Sequence, residues 1–163
     1  MNKFHKIGVF IICLWSTHLL GQVAMDSIHL QSFENLEDGK VYACRDIKFT
    51  IGNMELTEDS KAVLNTIGTL LVENASLKVE FRIHTDHRGT NESNLKLCEY
   101  RGRQIKAFLI ANFNIDPKRI MINPLGGNNP IVPFDEITNT KSNEEAEKLH
   151  QINRRVEVKI IKI

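Results

Sequence analysis

The sequence predicts one α/β (α+β) domain in which strands and helices alternate as β-α-β-α-β-(α)-β, with the helices on one face of a sheet. Three stretches carry that prediction. Leu77, Val79, Phe81 and Ile83 alternate with Lys78, Glu80, Arg82 and His84, the period of a strand buried on one side. Val63, Leu64, Ile67, Leu70 and Leu71 recur instead at helical spacing, which leaves an apolar stripe on one face. Val156, Val158 and Ile160 alternate with Arg155, Glu157 and Lys159 in a closing strand. With 163 residues, 42% of them hydrophobic, the chain has the material for one domain with its own core.

The N-terminus reads differently. Lys3 and Lys6 give a basic start, Ile7 to Leu20 is a largely apolar run of 14 residues, and Gly21 precedes Gln22. This pattern predicts a secretory signal peptide over residues 1–21. The run contains His18 and falls short of the roughly 20 residues a membrane span needs, so an uncleaved anchor is the weaker reading. Cys13 raises lipidation, but Ile11 and Ile12 stand where such a site wants small residues. Cleavage removes two lysines and no acid, leaving 19 basic against 20 acidic side chains, a formal charge of −1. That balance offers no electrostatic footprint for nucleic acid. Cys44 and Cys98 remain in a compartment that permits a disulfide; a bridge and two buried thiols both stay open.

Residues 22–37 lack a sustained period and read as an extension, so the domain is placed at 38–163. Val41, Ala43, Ile47 and Phe49 suggest an irregular first strand ending before Gly52. Thr57 is an N-cap candidate, with Glu58 and Asp59 in the first turn where the helix dipole favours acids. A second helix is predicted from about Asn91 to Asn112, with Leu95, Cys98, Ile105, Phe108 and Leu109 inward. Pro117 marks a turn, Ile120 and Ile122 a third strand, and Pro124 its stop. In the long connection that follows, Ser142 and Glu145 form a capping-box pattern for a short helix over about 143–150, the rest being loop.

Between the second strand and second helix lies the stretch with chemistry in it. Thr85, Asp86, His87, Arg88, Gly89 and Thr90 make a polar turn with one glycine free to take positive φ. The turn carries Asp86, and Arg101 follows about two helical turns into the helix. Helical side chains lean toward the N-terminus, so the Arg101 guanidinium is expected to reach back toward Asp86. Without further context such a pair is most often a surface salt bridge worth about 0–1 kcal/mol.

His84-Thr85-Asp86, Gly89, Asn94, Leu97 and Arg101, followed by Asn153-Arg154-Arg155-Val156, resemble the signature of the OmpA-like peptidoglycan-binding domain. The resemblance covers about residues 38–163 and implies a mixed four-stranded sheet. It also implies that Asp86 and Arg101 clamp the diaminopimelate residue of the peptidoglycan stem peptide. That side chain ends in an ammonium and a carboxylate on one carbon. Its receptor therefore needs an anion beside a cation, and a guanidinium can meet the carboxylate with two parallel hydrogen bonds. Backbone N–H groups from Thr90 to Asn94 would add donors at the helix start. On this reading Thr85 and Gly89 shape the turn, Asn94 holds it or touches the ligand, and Arg154 or Arg155 borders the site from the last strand. Departures from the family pattern are Ile83 for a glycine, Cys98 for a serine, Gly102 for an alanine and Pro124 for a glycine. Ile83 bears most directly on the binding turn, because a β-branched residue there restricts backbone and access.

The sequence admits two other readings. His84, Asp86 and His87 crowd two imidazoles and a carboxylate into four residues, which suggests metal-assisted hydrolysis. On a strand end, however, His87 points away from the other two and no fourth ligand is evident. No nucleophile elbow, H-E-x-x-H helix or P-loop is present either. The other reading is an assembly module of an outer-membrane complex, with weak or no wall binding and a partner on the loop from Gly126 to Asn153. The expectation is a secreted, non-enzymatic periplasmic domain of a Gram-negative cell. It needs no cofactor or metal and has no transmembrane segment in the mature chain. It binds peptidoglycan, with outer-membrane proteins as further partners.

Overall fold

The computed structural model describes residues 36–50 and 55–163. The expected signal peptide, Cys13, nearly all of the N-terminal extension and Gly52 lie outside the described residues. The elements are β1 (Val41–Cys44), α1 (Glu58–Glu73), β2 (Lys78–His84), α2 (Asn91–Phe113), β3 (Ile120–Gly126), α3 (Phe134–Thr138), α4 (Asn143–Asn153) and β4 (Val156–Lys162).

The four strands form a mixed sheet in the order β1-β4-β2-β3. β2 and β3 run parallel because α2 carries the chain back between them, and β4 enters antiparallel to both β1 and β2. Register places Val79 beside Ile160, Phe81 beside Val158 and Ile83 beside Val156, so the alternating apolar residues of two strands share one face. Leu64, Ile67 and Leu71 of α1 and Cys98, Ile105 and Leu109 of α2 close the same core, all nearly inaccessible. Leu36 packs against its edge, and the backbone N–H of Gly39 donates to the Ile160 carbonyl.

Local chemistry sets the helix ends. Thr57 accepts from the Ser60 N–H at the start of α1, with Glu58 and Asp59 in the first turn. Thr90 and Ser93 form a reciprocal capping box on α2, and Asn114 ends that helix in the left-handed region at φ 51°. Ser142 caps α4, but the Glu145 carboxylate takes the N–H of Lys141, one residue before the cap.

Four elements differ from the sequence reading. The first strand is regular but stops at Cys44; a turn closed by the Ile47 N–H on the Cys44 carbonyl follows, and Phe49 forms only an isolated bridge with Leu56. Pro124 does not end β3, which runs on to Gly126. β3 is an edge strand, so a missing N–H there breaks no ladder. The register slips between Ile83, opposite Pro124, and His84, opposite Gly126, and bulges Leu125. A short helix, α3, begins after Pro133 with Asp135 and Glu136 in its first turn and Ile137 buried, where only loop was expected. α4 extends to Asn153, whose buried side chain accepts from the Ile131 and Val132 N–H groups and donates to the Val132 carbonyl.

On α2 the buried line is Asn94, Cys98, Gly102, Ile105 and Leu109; Leu95 and Phe108 are only half-buried. Gly102 allows the helix to lie close to the sheet, with the Ile122 side chain where a Cβ would be. Cys44 and Cys98 are free and buried, and burial with nearby Asp46 and Glu157 pushes the Cys44 thiol up to about 12.

Candidate functional site

The site is built where β2 runs out. The His84 N–H donates to the Arg155 carbonyl and the Thr85 N–H to the Gly126 carbonyl, so the turn leaves the sheet still tied to both neighbouring segments. Asn94, buried one turn into α2, donates its amide to the Asp86 and Arg88 carbonyls at 3.3 and 3.1 Å. Of its two expected roles, the structure shows turn-holding. Gly89 sits at φ 90°, a conformation that L side chains rarely adopt. Thr85 is buried, and its hydroxyl has no partner among the described residues.

Asp86 is buried and its carboxylate is heavily coordinated. Oδ1 accepts the Arg88 backbone N–H at 3.0 Å. Oδ2 accepts Arg88 Nη2 at 2.7 Å, Arg88 Nε at 3.2 Å and Arg154 Nη1 at 2.7 Å. Burial raises its pKa, but the hydrogen bonds from Arg88 and Arg154 outweigh this and hold the carboxyl far below the usual range. Glu147 of α4 then binds both arginines, Arg88 Nη1 at 2.9 Å and Arg154 Nη2 at 2.6 Å.

Arg101 has the opposite character. No ion pair joins it to Asp86, and among the described residues its side chain has no hydrogen-bond partner. Its guanidinium carbon lies 5.1 Å from the Phe49 ring centroid, and burial lowers its pKa. Asp86 and Arg101 are thus brought to one place without being paired. Arg101 lines a cleft of about 440 Å³ walled also by Phe49, Arg88, Glu147, Gln151 and Arg154, and Asp86 is bound to that wall through Arg88 and Arg154 rather than lining the cleft itself. Ile83 forms part of its floor, its bulk taken up on the helix side beside Gly102.

Neither late arginine comes from the last strand; both precede β4, and Arg154 is the C-cap of α4. Arg154 reaches the site directly. Arg155 lines the cleft, and its guanidinium donates to Glu157 at 2.8 Å and to the Asn153 and Asn129 carbonyls. His84 lies 3.4 Å from Glu157, whereas His87 packs edge-on against Phe134 and beside His150. The two imidazoles therefore belong to different surroundings. Sequence reasoning passed over Arg88, although its place two residues after Asp86 on a turn was a usable signal. Glu147 and Phe49 carried none, since only folding brings them to the turn.

The OmpA family profile matches residues 48–145, well over half of the chain. The chain belongs to the OmpA family. Outer membrane protein A of Bordetella avium is 40% identical over 78 residues, 48% of this chain and 34% of that protein. The chain thus spans about a third of the length of this curated relative. Among solved structures, the cell wall anchor of the T6SS from Pseudomonas aeruginosa aligns with a TM-score of 0.56 and 22% identity, covering 76% of this chain and 81% of that one. The peptidoglycan-associated lipoprotein from Burkholderia pseudomallei aligns at 0.54 and 16%, covering 72% and 88%. These likenesses establish the OmpA-like fold, with its mixed four-stranded sheet. No described helix is long and apolar enough to cross a membrane.

Proposed function

We propose that this domain binds peptidoglycan noncovalently in the periplasm, holding the diaminopimelate side chain between Arg101 and Asp86 and so tying the outer membrane or an associated complex to the wall. One observation carries the reading: Arg101 lines the cleft without an anionic partner among the described residues, its Nε buried and unbonded, while Arg88 and Arg154 on the wall of the same cleft bind the buried Asp86 carboxylate. A charge removed from water without a partner is costly, and a ligand carboxylate on Arg101 relieves that cost. Asp86 supplies the matching anion for the ammonium on the same carbon. Thr85, Gly89 and Asn94 hold the turn, and Arg154 borders the carboxylate. The family supports a binding role rather than catalysis, and the names of the Pseudomonas and Burkholderia structures point to the same wall polymer.

The test is co-sedimentation of residues 22–163 with purified insoluble peptidoglycan, for wild type, Asp86→Ala and Arg101→Ala, each checked for folding by circular dichroism. Wild type is expected in the pellet, with binding by each folded variant reduced more than about tenfold. Wild type remaining in the supernatant would sink the reading. It would leave the alternative of an assembly module of an outer-membrane complex, which one observation favours: Asp86 is already satisfied by Arg88 and Arg154.

A further inference from the structure

We propose that Arg88 is the specificity-determining residue of this cleft: its guanidinium holds the place on Asp86 that a ligand ammonium takes, and Glu147 keeps it when the ligand arrives. This rests on the clamp reading just given and adds to it a competitor built into the protein.

The coordination of Asp86 requires one. Oδ2 already receives three N–H groups, from Arg88 Nη2, Arg88 Nε and Arg154 Nη1, and Oδ1 receives the Arg88 backbone N–H. The Asp86 side chain is only 8% exposed, and Arg88 and Arg154 rather than Asp86 line the cleft, so an ammonium arriving there gains Oδ2 only when a guanidinium moves off it. Arg88 is the one free to leave. Its side chain is 51% exposed against 24% for Arg154, so water can take over its donors more readily. Arg154 is held additionally by Gln151 as well as by Glu147. Arg88 also bonds Glu147 through Nη1 at 2.9 Å, a contact that survives release of Asp86. The backbone need not follow, because the Arg88 N–H stays on Oδ1 and its carbonyl stays on the Asn94 amide.

The consequence is selectivity. Arg101 accepts any carboxylate that fits, since nothing among the described residues competes for it. Asp86 accepts only a cation able to displace Arg88. A side chain ending in ammonium and carboxylate together gains both contacts, and one ending in carboxylate alone gains only the first.

Calorimetry on the full mature chain tests this with two synthetic stem peptides, one containing meso-diaminopimelate and one containing 2-aminopimelate, which lacks the distal amine. Removing the competitor with Arg88→Ala is expected to tighten the first peptide about fivefold and leave the second unchanged. Arg88→Gln, which retains bulk without charge, should do the same if alanine compromises folding. Glu147→Ala should weaken the first peptide, because Arg88 then has only Asp86, and this effect should vanish in the Arg88→Ala background. Equal or weaker binding of the diaminopimelate peptide by both folded Arg88 variants overturns the proposal. Arg101→Ala separates the two levels: if it abolishes binding of both peptides while the Arg88 variants show no gain, the clamp stands and the competitor falls. If no variant binds either peptide, or if Arg101→Ala changes nothing, both fall.

Discussion

Gly127 lies against the backbone of Asp86: a Cβ at residue 127 would stand 2.8 Å from the Asp86 carbonyl oxygen and 3.2 Å from the His87 Cα. Those atoms belong to main chain, which cannot swing aside as the end of a side chain can. The close approach locks the loop after β3 onto the turn that carries the carboxylate, beside the bond from the Thr85 N–H to Gly126. Gly127→Ala is therefore expected to destabilise the domain by about 1–3 kcal/mol and to weaken peptidoglycan co-sedimentation by displacing Asp86. Thermal melting and the pellet assay together check it; a variant that melts and sediments like wild type would show that the turn yields.

Gly102 and Ile122 make the equivalent contact between α2 and the sheet. A Cβ at 102 would run into the Ile122 side chain and come within 3.3 Å of Ile83 Cδ1. The resemblance that assigns alanine to position 102 also assigns glycine to 83, so the two departures read as one exchange of volume. Gly102→Ala should cost about 1–3 kcal/mol by overpacking, despite the better helix propensity of alanine. Ile122→Ala should recover part of that loss. A double-mutant cycle in urea would find the two changes coupled; simple additivity would contradict the contact.

Arg119 joins three separate carbonyls. Its Nη2 donates to Leu71 and Asn74 at the end of α1, and its Nε donates to Leu77 at the entry to β2. A guanidinium fork suits this arrangement, whereas an ammonium cannot keep all three directions. Arg119→Ala should lower stability by about 1.5–3 kcal/mol and Arg119→Lys by a smaller amount, measured by chemical denaturation with unchanged wall binding.

Acid should unfold the domain partly through Glu157. Burial raises its pKa, but the His84 imidazole 3.4 Å away and the Arg155 guanidinium at 2.8 Å prevail and bring it from the ordinary 4.5 down to about 2. A folded-state value below the unfolded one contributes stability above about 4.5, and that stability is lost as pH falls toward about 2. Asp86, Glu80 and Glu147 are shifted in the same direction. Glu157→Gln should flatten the fall in unfolding free energy between about pH 5 and 2.5, whatever it costs at neutral pH. An unchanged slope would mean that Glu157 does not report on acid unfolding.

Much of this was legible in the chain because it depends on near neighbours. Alternation at Leu77 to His84 and at Val156 to Ile160, the cap at Thr57, and the placing of Asp86 on a turn with Arg101 on the next helix all follow from backbone geometry within a few residues. Pro124 misled because a proline excludes a strand only when its N–H is needed, and the edge position of β3 is a property of the whole sheet. The partners of the two charged residues are of the same kind. Asp86 meets Arg154 and, through the arginines, Glu147 only because α4 packs against the turn, and Arg101 meets Phe49 only because the segment after β1 folds over α2. By itself, the sequence determined that an anion, Asp86, sits on a turn and a cation, Arg101, on the helix that follows it. The tertiary structure alone decided that Asp86 is held by two arginines while Arg101 faces the cleft without a described ion-pair partner, because ion pairing is governed by distances that only long-range packing sets.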